Sequence, residues 1–188
     1  EILARFARDP RAAKLLFLTA SAELGNGDSD AGLASLGLYI RNWPDGEHAA
    51  EAHYRSAETL FRNGQHEKAM QTLRELLARY PGSGFWQQAQ KLIVDVEYGE
   101  AERAFAGGNF AQAERLWSRF MSRYPLDPRT PAAAWAVGKT FENRKDYRRA
   151  VEIWQDVWQR WPQHEEAQRA CLSAAELLSD KLDEYDRA

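Results

Sequence analysis

Cysteine is nearly missing from this sequence, with Cys171 the single one among 188 residues. A lone thiol cannot form an internal disulfide, and it leaves the redox compartment open. Its neighbours are small or apolar, namely Ala170, Leu172 and Ala174. This setting predicts a small core residue rather than a reactive thiol.

A strong charge of one sign and long apolar runs are also missing. The 25 basic and 28 acidic residues are mixed along the chain and leave a formal net charge of −3. Without a basic block, the chain lacks the surface that tracks phosphates, so we expect no nucleic-acid partner. No apolar run approaches the length of a membrane span, so we expect no direct membrane insertion.

The residues that carry catalysis do not form a constellation. His48 and His53 are five positions apart, so they do not share a helix face as paired zinc ligands do. The glycine pairs lie in turns between predicted helices rather than after a strand, which excludes a phosphate cradle. The adjacent carboxylates Glu165 and Glu166 are placed at a helix start, where they complement the helix dipole. We therefore expect no enzyme activity, no catalytic residue, no metal and no cofactor.

What the sequence does contain is an aromatic residue followed by proline, repeated along the chain. The four pairs are Trp43-Pro44, Tyr80-Pro81, Tyr124-Pro125 and Trp161-Pro162, with Pro10 as a weaker first instance. Successive prolines are 34, 37, 44 and 37 residues apart. A small residue lies 12 positions before each paired proline (Gly32, Ala69, Ala113, Ala150), and another lies 12 positions earlier (Ala20, Ala57, Ala101, Gly138).

Each repeat has the pattern of two helices joined by a short turn. Apolar residues recur three and four positions apart, and breaker-rich turns such as Asn63-Gly64 separate the two runs. The proline stops the second helix because it cannot continue the helical hydrogen bonds. In the third repeat the first helix, from about Phe85 to Ala106, is seven residues longer, which is about two turns or roughly 10 Å. The pattern therefore predicts an all-α fold.

These residues resemble the tetratricopeptide repeat. Counted from Ala50, the residues Ala57, Ala69 and Pro81 fall on the family's small and proline positions 8, 20 and 32. His53 and Ala134 depart from the pattern, since the family has a large residue there. The resemblance implies a right-handed superhelical solenoid of helix–turn–helix repeats.

The longer period and the Tyr-Pro-Gly-Ser sequence at residues 80–83 resemble a bacterial envelope branch of the family. Its examples are outer-membrane assembly lipoproteins, the Tol–Pal coordinator and the helical arms of macroglobulin-like proteins. This narrower resemblance implies a periplasmic or cell-envelope location, with the cytoplasm as the alternative.

The expected domain organisation is one solenoid fragment over residues 1–188. It comprises a half-repeat (1–10), four repeats (about 11–46, 47–83, 84–128 and 129–164) and a partial repeat (165–188). We expect Ile2, Leu3 and Phe6 to end a preceding hairpin, while Tyr185 and Ala188 begin the second helix of a fifth one. Both ends then indicate a piece of a longer protein.

The resemblance also implies a binding face. In the family, first helices line the concave side, and contacts come from positions near 2, 5, 9 and 12 of each repeat. The predicted partner-binding residues are Phe17, Tyr54, Glu58, Tyr98, Glu102, Trp135, Lys139 and Glu142, with Leu172 continuing the column at position 5. Aromatic groups rimmed by mixed charge suit an extended peptide or a partner helix. The alternative is that the aromatic residues pack between neighbouring first helices.

These features predict a non-catalytic scaffold that binds a protein or peptide partner. One alternative is the helical, non-catalytic region of a larger protein, either a peptidoglycan-cleaving enzyme or a protease-trapping macroglobulin-like protein. Self-association through the repeats is another. A second aromatic set, on second helices, is interpreted separately: Trp117 and Trp154 as core residues and Trp158 as partly exposed.

Overall fold

A computed structural model describes residues 9–182, and every regular element among them is helical. The expected residues Ile2, Leu3, Phe6, Tyr185 and Ala188 lie outside the described part. Its α-helices, in chain order, are α1 (Pro10–Gly25), α2 (Ser29–Asn42), α3 (Ala49–Arg62), α4 (His66–Arg79), α5 (Trp86–Ala106), α6 (Phe110–Arg123), α7 (Thr130–Asn143), α8 (Tyr147–Arg160) and α9 (Glu165–Leu177). A π-helical turn, Leu178–Leu182, follows α9. The all-α prediction is confirmed.

Contacts divide the chain into two compact units, Glu1–Val96 and Glu97–Ala188. The division falls within α5, which has 21 residues where α3 and α7 have 14. This difference of seven residues confirms the predicted lengthening of the third repeat's first helix. The single solenoid with its repeat boundaries stays a prediction.

The second helix of each hairpin begins and ends at residues that the repeat pattern singles out. The four second helices start at Ser29, His66, Phe110 and Tyr147, each 15 positions before a paired proline. They end immediately before Trp43, Tyr80, Tyr124 and Trp161, whose N–H groups still donate to the carbonyl four residues earlier. The proline that follows has no N–H, so the helix stops there.

The small residues of the repeat lie where the two helices of a hairpin meet. The six alanines have no exposed surface, and the two glycines are buried. At Gly32, a Cβ atom would lie 2.5 Å from Cγ of Leu24 in the neighbouring helix. Close approach of the helices therefore requires the small residues, because a larger side chain would occupy the same space.

Each unit contains its own core. In the first unit, Phe17, Leu36 and Tyr39 belong to one buried cluster, and a second cluster includes Leu73 and Val96. In the second unit, the fully or nearly fully buried side chains include Trp117, Phe120, Trp154 and Val157. Trp117 and Trp154 are therefore core residues as predicted, and Trp158 is 54% exposed, also as predicted.

The structure shows which of two residues, His53 and Cys171, is buried and which is exposed. The ring of His53 is buried and lies 5.2 Å from the ring of Tyr80, so His53 is a packing residue at this position of the repeat. Cys171 is exposed, and its predicted core position is wrong. The buried face of α9 contains Ala167, Ala170 and Ala174, and Cys171 is one position off that face.

The turns inside the four hairpins each contain a residue with positive φ. Three of these residues are glycines, Gly27, Gly64 and Gly108, with φ between 70° and 85°. The fourth is Lys145, with φ of 63°. A Cβ atom makes this left-handed conformation unfavourable, whereas glycine adopts it freely.

Replacing Lys145 with glycine is expected to raise the free energy of unfolding by about 1 kcal/mol, because the left-handed conformation no longer strains a side chain. Urea denaturation followed by far-ultraviolet circular dichroism would measure the change. Lys145→Ala is the control, since it removes the lysine side chain but keeps the Cβ atom. An equal gain in both variants would contradict the backbone explanation.

Candidate functional site

A pocket of about 400 Å³ in the second unit contains four of the predicted binding residues. Tyr98 and Glu102 come from α5, and Trp135 and Lys139 come from α7. The remaining lining residues are Phe105, Trp117, Ala132, Ala136, Glu166 and Arg169. The first helices α5, α7 and α9 thus all contribute to one concavity.

Helical spacing explains why these side chains meet. Tyr98 and Glu102 are four residues apart on α5, as are Trp135 and Lys139 on α7, and residues at this spacing lie on the same helix face. On the same helix, Ala132 and Ala136 also line the pocket, and their short side chains occupy little of its space. The pocket therefore has large aromatic walls and a narrow strip of small side chains.

The aromatic walls are held in place by neighbouring groups. The ring of Tyr98 packs edge-to-face on Phe120, with 5.2 Å between the ring centres. Phe105 lies 5.5 Å from Trp117. The carbonyl of Trp135 accepts a 3.0 Å hydrogen bond from Nε1 of Trp154. The ring contacts restrict Tyr98 and Phe105 before a partner arrives, which lowers the entropic cost of binding. The hydrogen bond from Trp154 reaches the backbone of Trp135, so it positions α7 rather than the Trp135 ring.

Three cations around the pocket already have carboxylate partners. The Arg129 guanidinium donates two hydrogen bonds to Asp127, of 2.9 and 3.0 Å, and these hold the pKa of Asp127 below its usual range. Arg169 donates to both oxygens of Glu166, at 3.1 and 3.2 Å. Lys139 forms an ion pair with Glu142.

The carboxylate of Glu102 is different, because it has no hydrogen bond or ion pair within the described residues. The negative charge of Glu102 nevertheless affects the pKa of the Tyr98 hydroxyl. The pKa of Tyr98 is raised, first by burial and then by the negative charge of Glu102, with Arg129 acting in the opposite direction. Tyr98 therefore has both the carboxylate of Glu102 and the guanidinium of Arg129 nearby, the latter 5.1 Å from the centre of its ring.

Comparison with known proteins identifies the repeat. The sequence matches the family described as Tetratricopeptide repeat over residues 17–84 and 98–165, which is more than half of the chain. The chain belongs to the tetratricopeptide repeat family. Members of this family generally mediate protein–protein interactions, and the fold is typically a non-catalytic scaffold.

Two solved structures are similar to this chain at low sequence identity. A tetratricopeptide repeat protein from Parabacteroides merdae is 14% identical with a TM-score of 0.53, and the match covers 93% of this chain and 63% of that one. This chain therefore spans less than two thirds of that protein's length. MamA from Desulfovibrio magneticus is 15% identical with a TM-score of 0.43 over 91% of this chain and 94% of that one. No curated protein sequence matches the chain.

In the first unit, the predicted residues of this tetratricopeptide repeat protein do not all lie on an accessible face. Phe17 is only 5% exposed and stacks on the ring of His48 at 4.3 Å. This burial places Phe17 in the core rather than on a binding surface, which corrects its expected role. Tyr54 is half-buried and stacks on Phe85, and Glu58 forms an ion pair with Arg62.

Six lining residues of the tetratricopeptide pocket were not among the predicted binding residues, and two of them are the small residues Ala132 and Ala136. Trp117 was interpreted as core, and Glu166 as a partner of the helix dipole. Arg169 lies at position 2 of its repeat, one of the family's contact positions, so the same numbering identifies it. Phe105 has no comparable sequence signal, because only the fold places its ring beside Trp117.

The described residues also bear on metals and membranes. No group of three or more His, Cys, Asp or Glu side chains among them could hold a metal ion. Likewise, none of the helices in the described part is both long and apolar enough to span a bilayer.

Proposed function

We propose that this chain is a non-catalytic scaffold that binds a peptide or partner helix through its first helices, with the pocket of the second unit as a main contact. One observation carries the proposal. Tyr98 and Trp135 stay partly exposed in a concavity that three first helices line. Core packing alone would cover such large rings.

The composition of the pocket supports a protein partner. Tyrosine, tryptophan and arginine contribute most often to the energy of protein interfaces, particularly where a pocket excludes water. The paired charges around the rings resemble the polar rim that surrounds an apolar interface centre. A peptide with one large side chain could place that side chain between Tyr98 and Trp135.

The binding test starts from a display library of short random peptides selected on the purified chain. For a selected peptide, calorimetry should give an affinity loss of about 30-fold or more in Tyr98→Ala and in Trp135→Ala, the loss typical of an interface hot spot. Trp158→Ala is the matched control, because Trp158 is an exposed tryptophan on a second helix and does not line the pocket.

Circular dichroism must show that each variant keeps the helicity of the parent. Peptides that bind all three variants as tightly as the parent would refute the proposed face. An equal loss in Trp158→Ala would show that the binding surface extends beyond the pocket.

We also propose that the chain is part of a larger bacterial envelope protein. The proposal is supported by the 37-residue spacing and the Tyr-Pro-Gly-Ser sequence at residues 80–83, which resemble that branch of the family. Fractionation of cells expressing the tagged full-length protein would test it. Recovery in the cytoplasmic fraction alone would contradict an envelope location.

A further inference from the structure

The pocket of the second unit combines aromatic walls with a carboxylate that has no basic partner among the described residues. Its lining contains the rings of Tyr98, Phe105, Trp117 and Trp135. Around these rings, Asp127, Glu142 and Glu166 each have a basic partner, whereas Glu102 has none within the described residues. The four charged lining residues, Glu102, Glu166, Lys139 and Arg169, balance in number, so the lining has no net charge. Glu102 is its one carboxylate without a basic partner among the described residues.

The chain already uses this combination to hold its own cations. The Arg129 guanidinium lies 5.1 Å from the ring centre of Tyr98 while it is paired with Asp127. The Lys139 ammonium lies 5.9 Å from the ring of Trp135 while it is paired with Glu142. In both cases an aromatic face and a carboxylate bind the same cation, which is the arrangement that favours basic side chains.

A second carboxylate in the lining, that of Glu166, can also accept hydrogen bonds from a bound cation. Glu166 lines the pocket although it is almost fully buried. Both of its oxygens accept from the same nitrogen of Arg169, at 3.1 and 3.2 Å. Because each carboxylate oxygen has two lone pairs, Glu166 retains acceptor capacity after this contact.

From this arrangement we infer that the pocket binds a basic side chain, an arginine, of the partner peptide. The aliphatic part and planar guanidinium of arginine pack against the aromatic walls, and its N–H groups donate to Glu102 at the rim. An acidic side chain would meet the unpaired Glu102 and is disfavoured. The inference rests on the proposed function, since it specifies the partner of the same pocket.

The test uses three small probes that differ only in the central side chain: acetyl-Gly-Arg-Gly-amide, the same peptide with citrulline, and the same peptide with glutamate. Citrulline has nearly the shape of arginine without its charge. Tryptophan indole N–H signals of the 15N-labelled chain report binding, and Trp135→Phe assigns the signal of Trp135. The arginine probe is expected to shift that signal and to bind about fivefold more tightly than the citrulline probe.

Two variants test whether the carboxylate of Glu102 causes the tighter binding of the arginine probe. Glu102→Gln is expected to reduce the affinity for the arginine probe to that for citrulline, and added salt should weaken binding to the parent. The matched control is Glu152→Gln, because Glu152 is an exposed carboxylate on α8 that does not line the pocket. Equal binding of arginine and citrulline, tighter binding of glutamate, or no shift of the Trp135 signal with any probe would overturn the inference.

These outcomes separate the inference from the proposed function. If library peptides bind and depend on Trp135 but not on a basic residue, the scaffold proposal stands and the arginine inference is wrong. If no library peptide binds while the arginine probe does, the pocket chemistry stands and the wider binding face is refuted.

Discussion

Replacing Gly138 with alanine is expected to lower the free energy of unfolding by about 3 kcal/mol, because steric overlap and a weakened hydrogen bond outweigh the better helix propensity of alanine. A Cβ atom at Gly138 would lie 2.5 Å from Cδ1 and 2.7 Å from Cε2 of Trp154. The indole of Trp154 is rigid and fully buried. It can move away only by disturbing its hydrogen bond to the carbonyl of Trp135.

Gly37→Ala is the matched control for this substitution. Gly37 also lies within a helix, but a Cβ atom there would have no neighbour within 4 Å, so alanine is expected to stabilise by about 0.5–1 kcal/mol. Urea denaturation of both variants would measure the difference. A Gly138→Ala protein as stable as Gly37→Ala would contradict the steric argument. The double variant Gly138→Ala/Trp154→Leu should lose less than the sum of the single losses, because leucine frees the contested space.

Replacing Leu73 with alanine is expected to destabilise the chain by a similar amount, about 3 kcal/mol, through the loss of apolar burial and the cavity left behind. Leu73 has no exposed surface, and its cluster includes the short side chains of Ala57, Ala69 and Ala89. Alanine side chains cannot reach into the cavity. The helices that bear them would have to shift, so the cavity is only partly filled.

The control for this prediction is Leu15→Ala, the same chemical change on the surface of the same unit. Leu15 is 67% exposed on α1, so its replacement is expected to change stability by less than about 0.5 kcal/mol. Urea midpoints and slopes of the two variants would be compared with those of the parent. A Leu73→Ala variant with the midpoint of Leu15→Ala would mean that the cluster is not the tightly packed core described above.

Much of the helical architecture could be predicted from local sequence. The start of α4 at His66 and its end before Tyr80 follow from the repeat pattern and from Pro81, and the 21 residues of α5 follow from the longer third repeat. Helix boundaries depend on hydrogen bonds between residues four apart, so nearby residues such as proline and glycine determine them. Burial of the small residues at helix contacts was predictable for the same reason, since their spacing places them on one face.

Exposure of the candidate binding residues could not be predicted in this way. Phe17 and Trp135 hold the same position of their repeats, yet Phe17 is covered by His48 and Arg55, whereas Trp135 borders an open pocket. Cys171 likewise has apolar neighbours in sequence but lies off the buried face of its helix. Which side chains of other helices cover a residue is a property of packing between segments far apart in the chain.

The sequence by itself therefore determined the repeat, the helices and the family, because each depends on short-range spacing. Only the tertiary structure decided which aromatic rings form a pocket, that Glu166 and Arg169 of α9 complete it, and that Glu102 is the carboxylate of its lining without a basic partner among the described residues. The physical reason is that the exposure of rings and the closing of a pocket depend on groups more than 30 residues apart, such as Tyr98 and Glu166. Helical periodicity does not specify the distances between such groups.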